Sequence, residues 1–177
     1  MTMKYRFIRL AGIPAAALAA APVTSCDNCT AKNGSKAEKP NVILIYVDDM
    51  GYSDINAFGG EYVRTPNMDR IGREGIIFNQ YYTACPISSP SRVGVTTGMY
   101  PTRWGITTFL NDRQANYSNH SNDYLLSDAP TLARSMKNAG YATGHFGKWH
   151  MGGGRDVKDM PQIPEYGFDE FNSTWES

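Results

Sequence analysis

An uninterrupted apolar run, Val42 to Val47, constrains the fold of this chain more than any other segment. It is rich in β-branched residues and has the length of one strand, which is typical of a central parallel strand covered by helices on both faces. Asp48 and Asp49 follow at its carboxyl end, where open α/β sheets bind their ligands. Two adjacent carboxylates indicate either an oxygen-bound divalent cation or a solvated turn.

Helix and strand signals then alternate along the chain. Thr65 to Gly75 has an N-cap, a proline in the first turn and a closing glycine, and predicts a crossover helix. Residues 76–82 predict a second strand. A further helix is predicted from Ala129 or Pro130 to Ala139, opened by Asp128, and residues 141–147 predict a third strand. This order is that of βαβ units, so the sequence predicts an α/β fold, mostly parallel, with helices on both faces of the sheet.

A short helix is predicted between Ser89 and Gly98, with Ser88 at its amino end. Ser89 is a good N-cap, Pro90 suits the first turn, and Gly98 suits the carboxyl end. The unbonded N–H groups and the positive dipole end favour a tetrahedral anion beside the Ser88 hydroxyl. The alternative is an ordinary capped surface helix.

A cation and an imidazole follow the third predicted strand. Lys148 and His150 lie two residues apart, so in extended backbone both project to one side and Trp149 to the other. They can act together at the sheet edge, or Lys148 can be solvated and His150 structural. Gly152 to Gly154 predict a loop that allows close backbone approach.

The first 26 residues predict a signal peptide. Lys4, Arg6 and Arg9 precede an apolar run, Leu10 to Val23, that is too short for a comfortable membrane span. Export to the periplasm or cell surface is therefore expected. Small residues before Cys26 are similar to a bacterial lipoprotein box, which predicts lipidation of Cys26 and a membrane anchor.

Alternatives for the amino-terminal region are simple cleavage nearby, or a C-x-x-C half-site formed by Cys26 and Cys29. Residues 27–40 lack apolar periodicity and predict a linker. Residues 41–177 then predict a folded domain with a real core, since 41% of the chain is hydrophobic. Lys and Arg number 17, as do Asp and Glu, so no large basic face for nucleic acid is indicated.

Three motifs together resemble the type I sulfatases of the alkaline phosphatase superfamily, across residues 40–171. Asn41 to Gly51 resembles the opening strand and metal-binding aspartates of that family, and Gly140 to Gly152 is similar to its Gly-Lys-Trp-His block. Ser88 to Gly98 matches the signature Cys/Ser-x-Pro-Ser-Arg followed by Thr-Gly. The resemblance implies an alkaline-phosphatase-like fold and sulfuric ester hydrolysis.

The resemblance implies a modified nucleophile at Ser88. That residue is expected to be oxidised to Cα-formylglycine (3-oxoalanine), whose hydrated form attacks sulfur, and to join the metal ligands. The serine form of the signature implies an anaerobic radical-SAM maturase as a partner. Cys85 lacks Pro-Ser-Arg at the right offset, so it is interpreted as a buried thiol rather than the modified residue.

The resemblance also implies roles for five other residues. Asp48 and Asp49 are expected to bind Ca²⁺, which stabilises charge and orients sulfate. Arg92 is expected to stabilise the formylglycine, Lys148 to contact the sulfate oxygens, and His150 to orient or deprotonate the gem-diol.

The family resemblance covers only an amino-terminal part of a sulfatase domain. Family members continue for several hundred residues and carry further metal ligands, a Lys and a His beyond the motifs found here. A truncated fragment is therefore expected, inactive and poorly stable by itself because a sheet edge and apolar faces stay uncovered.

Sulfated glycans are the expected substrates. The residues Gly152 to Asp156 are interpreted either as a sugar-binding loop or as a solvated loop, and the polar insertion Asn111 to Asp123, which contains His120, as an exposed loop. Alternatives are a phosphonate or phosphate ester hydrolase of the same superfamily, and a non-catalytic glycan-binding lipoprotein. The combination of a nucleophile with two cations argues against pure binding.

Overall fold

The structure is a computed structural model that describes residues 38–175. The predicted signal peptide, the lipidation of Cys26, the Cys26–Cys29 half-site and most of the predicted linker lie outside the described residues. The chain divides into two compact units, residues 1–45 and residues 46–177. In the first unit, residues 38–45 have no regular secondary structure.

Over the described residues 46–175, the second unit contains four α-helices, two strands and short 3₁₀ turns between them. The helices are α1 (Pro66–Glu74), α2 (Ser88–Thr97), α3 (Arg113–Ser118) and α4 (Leu132–Asn138), and the strands are β1 (Gly144–Lys148) and β2 (Glu170–Thr174). The 3₁₀ turns are Tyr52–Asp54, Asn56–Phe58, Pro101–Trp104 and Ile163–Tyr166. None of the described helices is both long and apolar enough to span a bilayer.

The two strands pair in parallel. Gly144 lies opposite Glu170, and Lys148 lies opposite Thr174. The pairing continues past the end of β1, because the Trp149 amide donates to the Thr174 carbonyl at 2.7 Å and the His150 amide to that of Trp175 at 2.8 Å. These bonds hold the backbone of residues 148–150 against β2.

The strand predicted at residues 141–147 lies at residues 144–148. Its first predicted residues bond outside the ladder, since the Thr143 amide donates to the Asp169 carboxylate at 3.0 Å. The prediction of a strand leading into Lys148 is confirmed, with a shifted start.

The strands predicted at residues 42–47 and 76–82 are wrong for this structure. Both runs are extended or irregular and largely exposed: Ile43 is 85% exposed and Phe78 70%. An apolar run becomes a strand only when a neighbouring strand pairs with its N–H and C=O groups. No other strand in residues 38–175 pairs with either run.

Local signals predicted the helices well. Helix α1 begins at Pro66 and ends before Gly75 as predicted, although none of its residues is buried, so packing as a crossover helix is not observed. Helix α4 begins later than predicted, because Thr131 rather than Asp128 caps it: its Oγ1 accepts from the Arg134 amide at 3.1 Å.

Helix α2 ends as predicted but begins two residues early. Gly98 adopts a left-handed conformation, φ 67°, and its amide donates to the Gly94 carbonyl. The N-cap is Ile87 and not Ser89, so Ser88 is the first helical residue. The Ser89 hydroxyl serves instead as a buried acceptor for the Leu110 amide at 2.9 Å.

The core is built around Trp149, which is fully buried while its neighbours Lys148 and His150 are only partly buried. The Trp149 ring packs on Tyr166, with centroids 4.9 Å apart. The hydroxyl of Tyr166 donates to the Leu125 carbonyl at 2.5 Å, and burial raises the pKa of this phenol. Other members of the core cluster are Val93, Ile106, Leu110, Ala129, Met151 and Ile163.

The prediction of an exposed loop at residues 111–123 is wrong in its centre. This segment contains helix α3, whose N-cap Asp112 accepts from the Ala115 amide at 2.8 Å. Asn116 on this helix is fully buried. Its amide forms hydrogen bonds that a solvated loop does not need.

His145 on β1 lies in a partly buried aromatic environment. Its ring contacts Trp149 and Phe168 edge-on and its Nδ1 lies 2.6 Å from the Ser173 hydroxyl. Burial, with a smaller contribution from the Arg92 charge, lowers the pKa of His145 below its ordinary 6.5. The unfolded chain therefore takes up a proton before the folded chain does.

We expect the free energy of unfolding to be fully retained above about pH 6.5 and to decrease as the pH falls from there toward the lower pKa of the folded state. Denaturant titrations at about pH 7.5 and about pH 5.5 would measure the decrease. His145→Asn offers a matched control, since its amide can still bond Ser173 without titrating. An equal pH dependence in both proteins would contradict the assignment to His145.

Candidate functional site

The Ser88 hydroxyl lies at the amino end of helix α2, where three polar side chains from different parts of the second unit meet it. Its Oγ is 3.4 Å from Asp48 Oδ1, 3.3 Å from Arg92 Nε and 3.3 Å from His150 Nδ1. As the first residue of the helix, Ser88 also lies at the end where amide groups have no helical partner. The hydroxyl is thus surrounded by a carboxylate, a guanidinium and an imidazole.

Arg92 connects the elements of the site. It lies one helical turn after Ser88, so both side chains share one face of α2. Its side chain is only 9% exposed; Nη2 pairs with Asp48 Oδ1 at 3.2 Å and Nη1 donates to the Lys148 carbonyl at 2.9 Å. The planar guanidinium thereby bonds the helix, the segment of Asp48 and the end of β1 at once.

Lys148 and Asp48 form the second ion pair. Lys148 Nζ lies 2.7 Å from Asp48 Oδ2, and its side chain is 17% exposed. The hydrogen bond from Lys148, assisted by Arg92, lowers the pKa of Asp48 against the opposing effect of burial. Two cations therefore face one ionised carboxylate beside Ser88.

His150 is held in an uncommon backbone conformation. Its φ is 48°, as is that of Arg155, and Asp49 has φ 54°. Positive φ in residues other than glycine is costly and clusters at functional sites, where surrounding contacts enforce it. At His150 the enforcing contacts include the hydrogen bond from its backbone amide to the Trp175 carbonyl and the 3.1 Å contact between Nε2 and the Leu110 carbonyl.

The structure therefore brings together five of the predicted site residues: Asp48, Ser88, Arg92, Lys148 and His150. It does not bring Asp49 into this cluster, since its side chain is exposed and no hydrogen bond to it is present among the described residues. Within residues 38–175, no group of three or more His, Cys, Asp and Glu side chains is arranged to hold a metal.

Other candidates lie outside the cluster. Cys85 is half-buried rather than buried and makes no disulfide. His120 is exposed. In the proposed sugar-binding loop, Asp156 Oδ1 accepts from the Arg113 amide at 3.0 Å and Arg155 hydrogen-bonds Asn111, so both residues are engaged within the chain.

Sequence reasoning missed two contacts of the site. The Leu110 carbonyl bonds His150, and the Tyr46 hydroxyl bonds Ser91 on α2. The Arg92 guanidinium also lies 5.7 Å from the centre of the Tyr46 ring. A backbone carbonyl has no side-chain signature, so no sequence motif could have indicated Leu110.

Comparison with known proteins decides the family. The Sulfatase family profile matches residues 40–177. This chain belongs to the sulfatase family. It is 38% identical over 156 residues to N-acetylgalactosamine-6-O-sulfatase of Bacteroides thetaiotaomicron, a match that covers 83% of this chain and 29% of that relative.

Solved structures agree with this sulfatase assignment. Ps i-CgsB in complex with k-i-k-neocarrahexaose superposes with a TM-score of 0.66 at 33% identity, over 79% of this chain and 29% of that one. BT4656 in complex with its substrate D-glucosamine-2-N,6-O-disulfate gives 0.58 at 32% identity, over 76% and 23%. The alkaline-phosphatase-like α/β fold class is thereby confirmed. The chain spans under a third of the length of these relatives.

Proposed function

We propose that this sulfatase sequence carries the nucleophile half of a sulfuric ester hydrolase acting on sulfated glycans. The observation that supports it most is the convergence of Asp48, Arg92 and His150 on the Ser88 hydroxyl, all within 3.4 Å. A solvated helix terminus has no need of a nearly buried arginine and an ion-paired lysine beside one serine.

Ser88 is proposed to be converted to formylglycine by an anaerobic maturase, and the modified residue supplies a hydrated aldehyde whose hydroxyl attacks sulfur. His150 is proposed to hold the proton that this hydroxyl loses, which the 3.3 Å contact between its Nδ1 and Ser88 Oγ supports. Its Nε2 faces a carbonyl, which can only accept, so Nε2 carries hydrogen and Nδ1 is the acceptor toward position 88.

Arg92 and Lys148 are proposed to stabilise negative charge on the transferred group. Both are largely buried cations, and both pair with Asp48. Charges held rigidly in a partly desolvated site stabilise developing anions far better than solvated ones. Arg92 also orients position 88 through its Nε contact.

A calcium ion fits the donor chemistry of the site. Asp48 and Ser88 place two hard oxygen donors 3.4 Å apart, which is ligand chemistry that Ca²⁺ prefers. Asp48 and the oxygens of modified Ser88 would hold the ion, and Asp49, which is exposed and outside the cluster in this structure, is proposed as a further carboxylate ligand. The ion, when bound, would neutralise carboxylate charge and polarise sulfate.

The proposed substrate is a sulfated amino sugar, and the proposed location is outside the cytoplasm. A relative is named as an N-acetylgalactosamine-6-O-sulfatase and a structural neighbour binds a disulfated glucosamine, so a 6-sulfated amino sugar is the proposed substrate. The basic and apolar start of the chain supports export to the periplasm or cell surface, with lipidation of Cys26 as the anchor.

The test uses protein expressed from its complete open reading frame together with an anaerobic maturase. We expect the Ser88 peptide to be lighter by two hydrogen atoms, and 6-sulfated N-acetylgalactosamine or glucosamine to release sulfate faster than the matching 6-phosphates. Chelation of calcium should lower the rate about 100-fold or more, and added Ca²⁺ should restore it.

An unmodified Ser88 with retained glycan binding would instead support the non-catalytic alternative. Faster release of phosphate than of sulfate would support the phosphate ester hydrolase.

A further inference from the structure

The peptide unit between Leu110 and Asn111, which lies outside the sequence motifs, contacts the imidazole ring of His150. The carbonyl of the Leu110–Asn111 peptide lies 3.1 Å from His150 Nε2. Because a carbonyl cannot donate, this contact selects the imidazole form protonated at Nε2. It leaves Nδ1 to face Ser88 Oγ at 3.3 Å.

Asn116 holds the other end of that same peptide unit. The Asn111 amide, which belongs to it, donates to Asn116 Oδ1 at 2.8 Å. Asn116 Nδ2 donates in turn to the Asn111 carbonyl at 3.1 Å and to Asp123 Oδ1 at 2.9 Å, and the side chain is fully buried. A peptide unit is planar, so fixing the direction of its N–H also fixes the direction of its C=O.

Ser89 holds the preceding peptide. Its fully buried Oγ accepts from the Leu110 amide at 2.9 Å. Ser89 is adjacent to Ser88 on helix α2, so the loop that orients His150 is bonded to the helix that carries the nucleophile position. The ring of contacts closes from Ser88 through Ser89, Leu110 and His150 back to Ser88.

We propose that Asn116 and Ser89 are positioning residues, which hold the Leu110 carbonyl so that His150 keeps its Nε2–H tautomer and presents Nδ1 to position 88. Hydrogen bonds in series polarise one another, so the bond from Asn111 to Asn116 also makes the Leu110 carbonyl a better acceptor. The kinetic part of this inference rests on the proposed function; the tautomer part does not.

The tautomer is tested by ¹⁵N NMR of histidine-labelled protein from the complete open reading frame, in which the three histidines of residues 1–177 are assigned by single replacement. At about pH 8.5, where an ordinary imidazole is neutral, we expect His150 to show the Nε2–H form. Asn116→Ala and Ser89→Ala should each convert it to a mixture of tautomers. His145 and His120 report whether a change is confined to His150.

Kinetics provide the second measurement, in matured protein from the complete open reading frame. Both variants should lower kcat for sulfate release about tenfold while KM changes less than about twofold, since the substrate contacts are untouched. Thr131→Ala is the control, because it removes another buried hydrogen bond, to the Tyr166 carbonyl, together with the cap of α4. It should lower stability with kcat and the His150 tautomer unchanged.

Ser89→Ala keeps the proposal falsifiable if Asn116→Ala fails to fold. Asn116→Asp separates the acceptor of this side chain from its donors: it retains the Oδ1 acceptor for the Asn111 amide but loses the donors to the Asn111 carbonyl and to Asp123, so stability should fall while the tautomer and most of kcat remain. An unchanged tautomer in Ser89→Ala and in any folded Asn116→Ala, or an equal kcat loss in Thr131→Ala, would overturn the proposal. Absence of sulfate release in the parent protein, with the tautomer shifts present, would count against the proposed function alone.

Discussion

Sulfate release is expected to fall by about 10³-fold or more, toward the uncatalysed level, when Ser88 is replaced by alanine in the matured protein. The Asp48, Arg92 and His150 side chains all contact the hydroxyl at this position. Alanine fits the first turn of α2, so the helix should persist and the loss should appear in kcat. Sulfate release from a 6-sulfated amino sugar and circular dichroism would measure activity and folding separately.

Two further variants test whether the nucleophile is at position 88 or at the nearby Cys85. Ser88→Cys should be inactive when it is expressed without a maturase. It should regain activity when it is expressed together with an aerobic, thiol-specific maturase. Cys85→Ala should retain activity, because the half-buried Cys85 thiol lies outside the cluster. Comparable activity in Ser88→Ala and the parent would remove Ser88 from the mechanism.

Replacing Arg92 with alanine is expected to reduce kcat by about 10²- to 10³-fold and to destabilise the fold. The guanidinium joins Ser88, Asp48 and the Lys148 carbonyl, and its side chain is nearly buried. Its loss leaves the Lys148 carbonyl without this donor and Asp48 with one cation fewer. Steady-state kinetics and thermal unfolding would measure the two effects.

Arg92→Lys tests whether charge alone suffices. A lysine preserves the cation but has one nitrogen, which cannot reach three acceptors in the planar arrangement seen here. We expect it to recover stability in part and to remain at least about tenfold below the parent in kcat. Full recovery of kcat would show that Arg92 contributes only its charge.

Helices α1 and α2 were predictable because their signals are local. A proline in the first turn and a glycine at the end act within a few residues, as Gly98 shows with its φ of 67°. The position of Ser88 and Arg92 on one helical face follows from the same short-range geometry.

The strands were harder to predict because pairing is not local. Residues 42–47 and 76–82 have strand composition, yet β1 and β2 are the strands that pair among residues 38–175. Residues 170–174, which form β2, have no long apolar run and pair because the 3₁₀ turn Ile163–Tyr166 brings the chain back beside β1.

Sequence alone determined which residue types surround Ser88, since the signature and the Gly-Lys-Trp-His block name them directly. Only the tertiary structure decided which atoms face one another. The tautomer of His150 depends on the Leu110 carbonyl. The direction of that carbonyl depends on Asn116, which lies in a segment that was predicted to be exposed because its residues are polar. Backbone groups are identical in every residue, so their placement is decided by how the chain folds around them and by nothing in the local sequence.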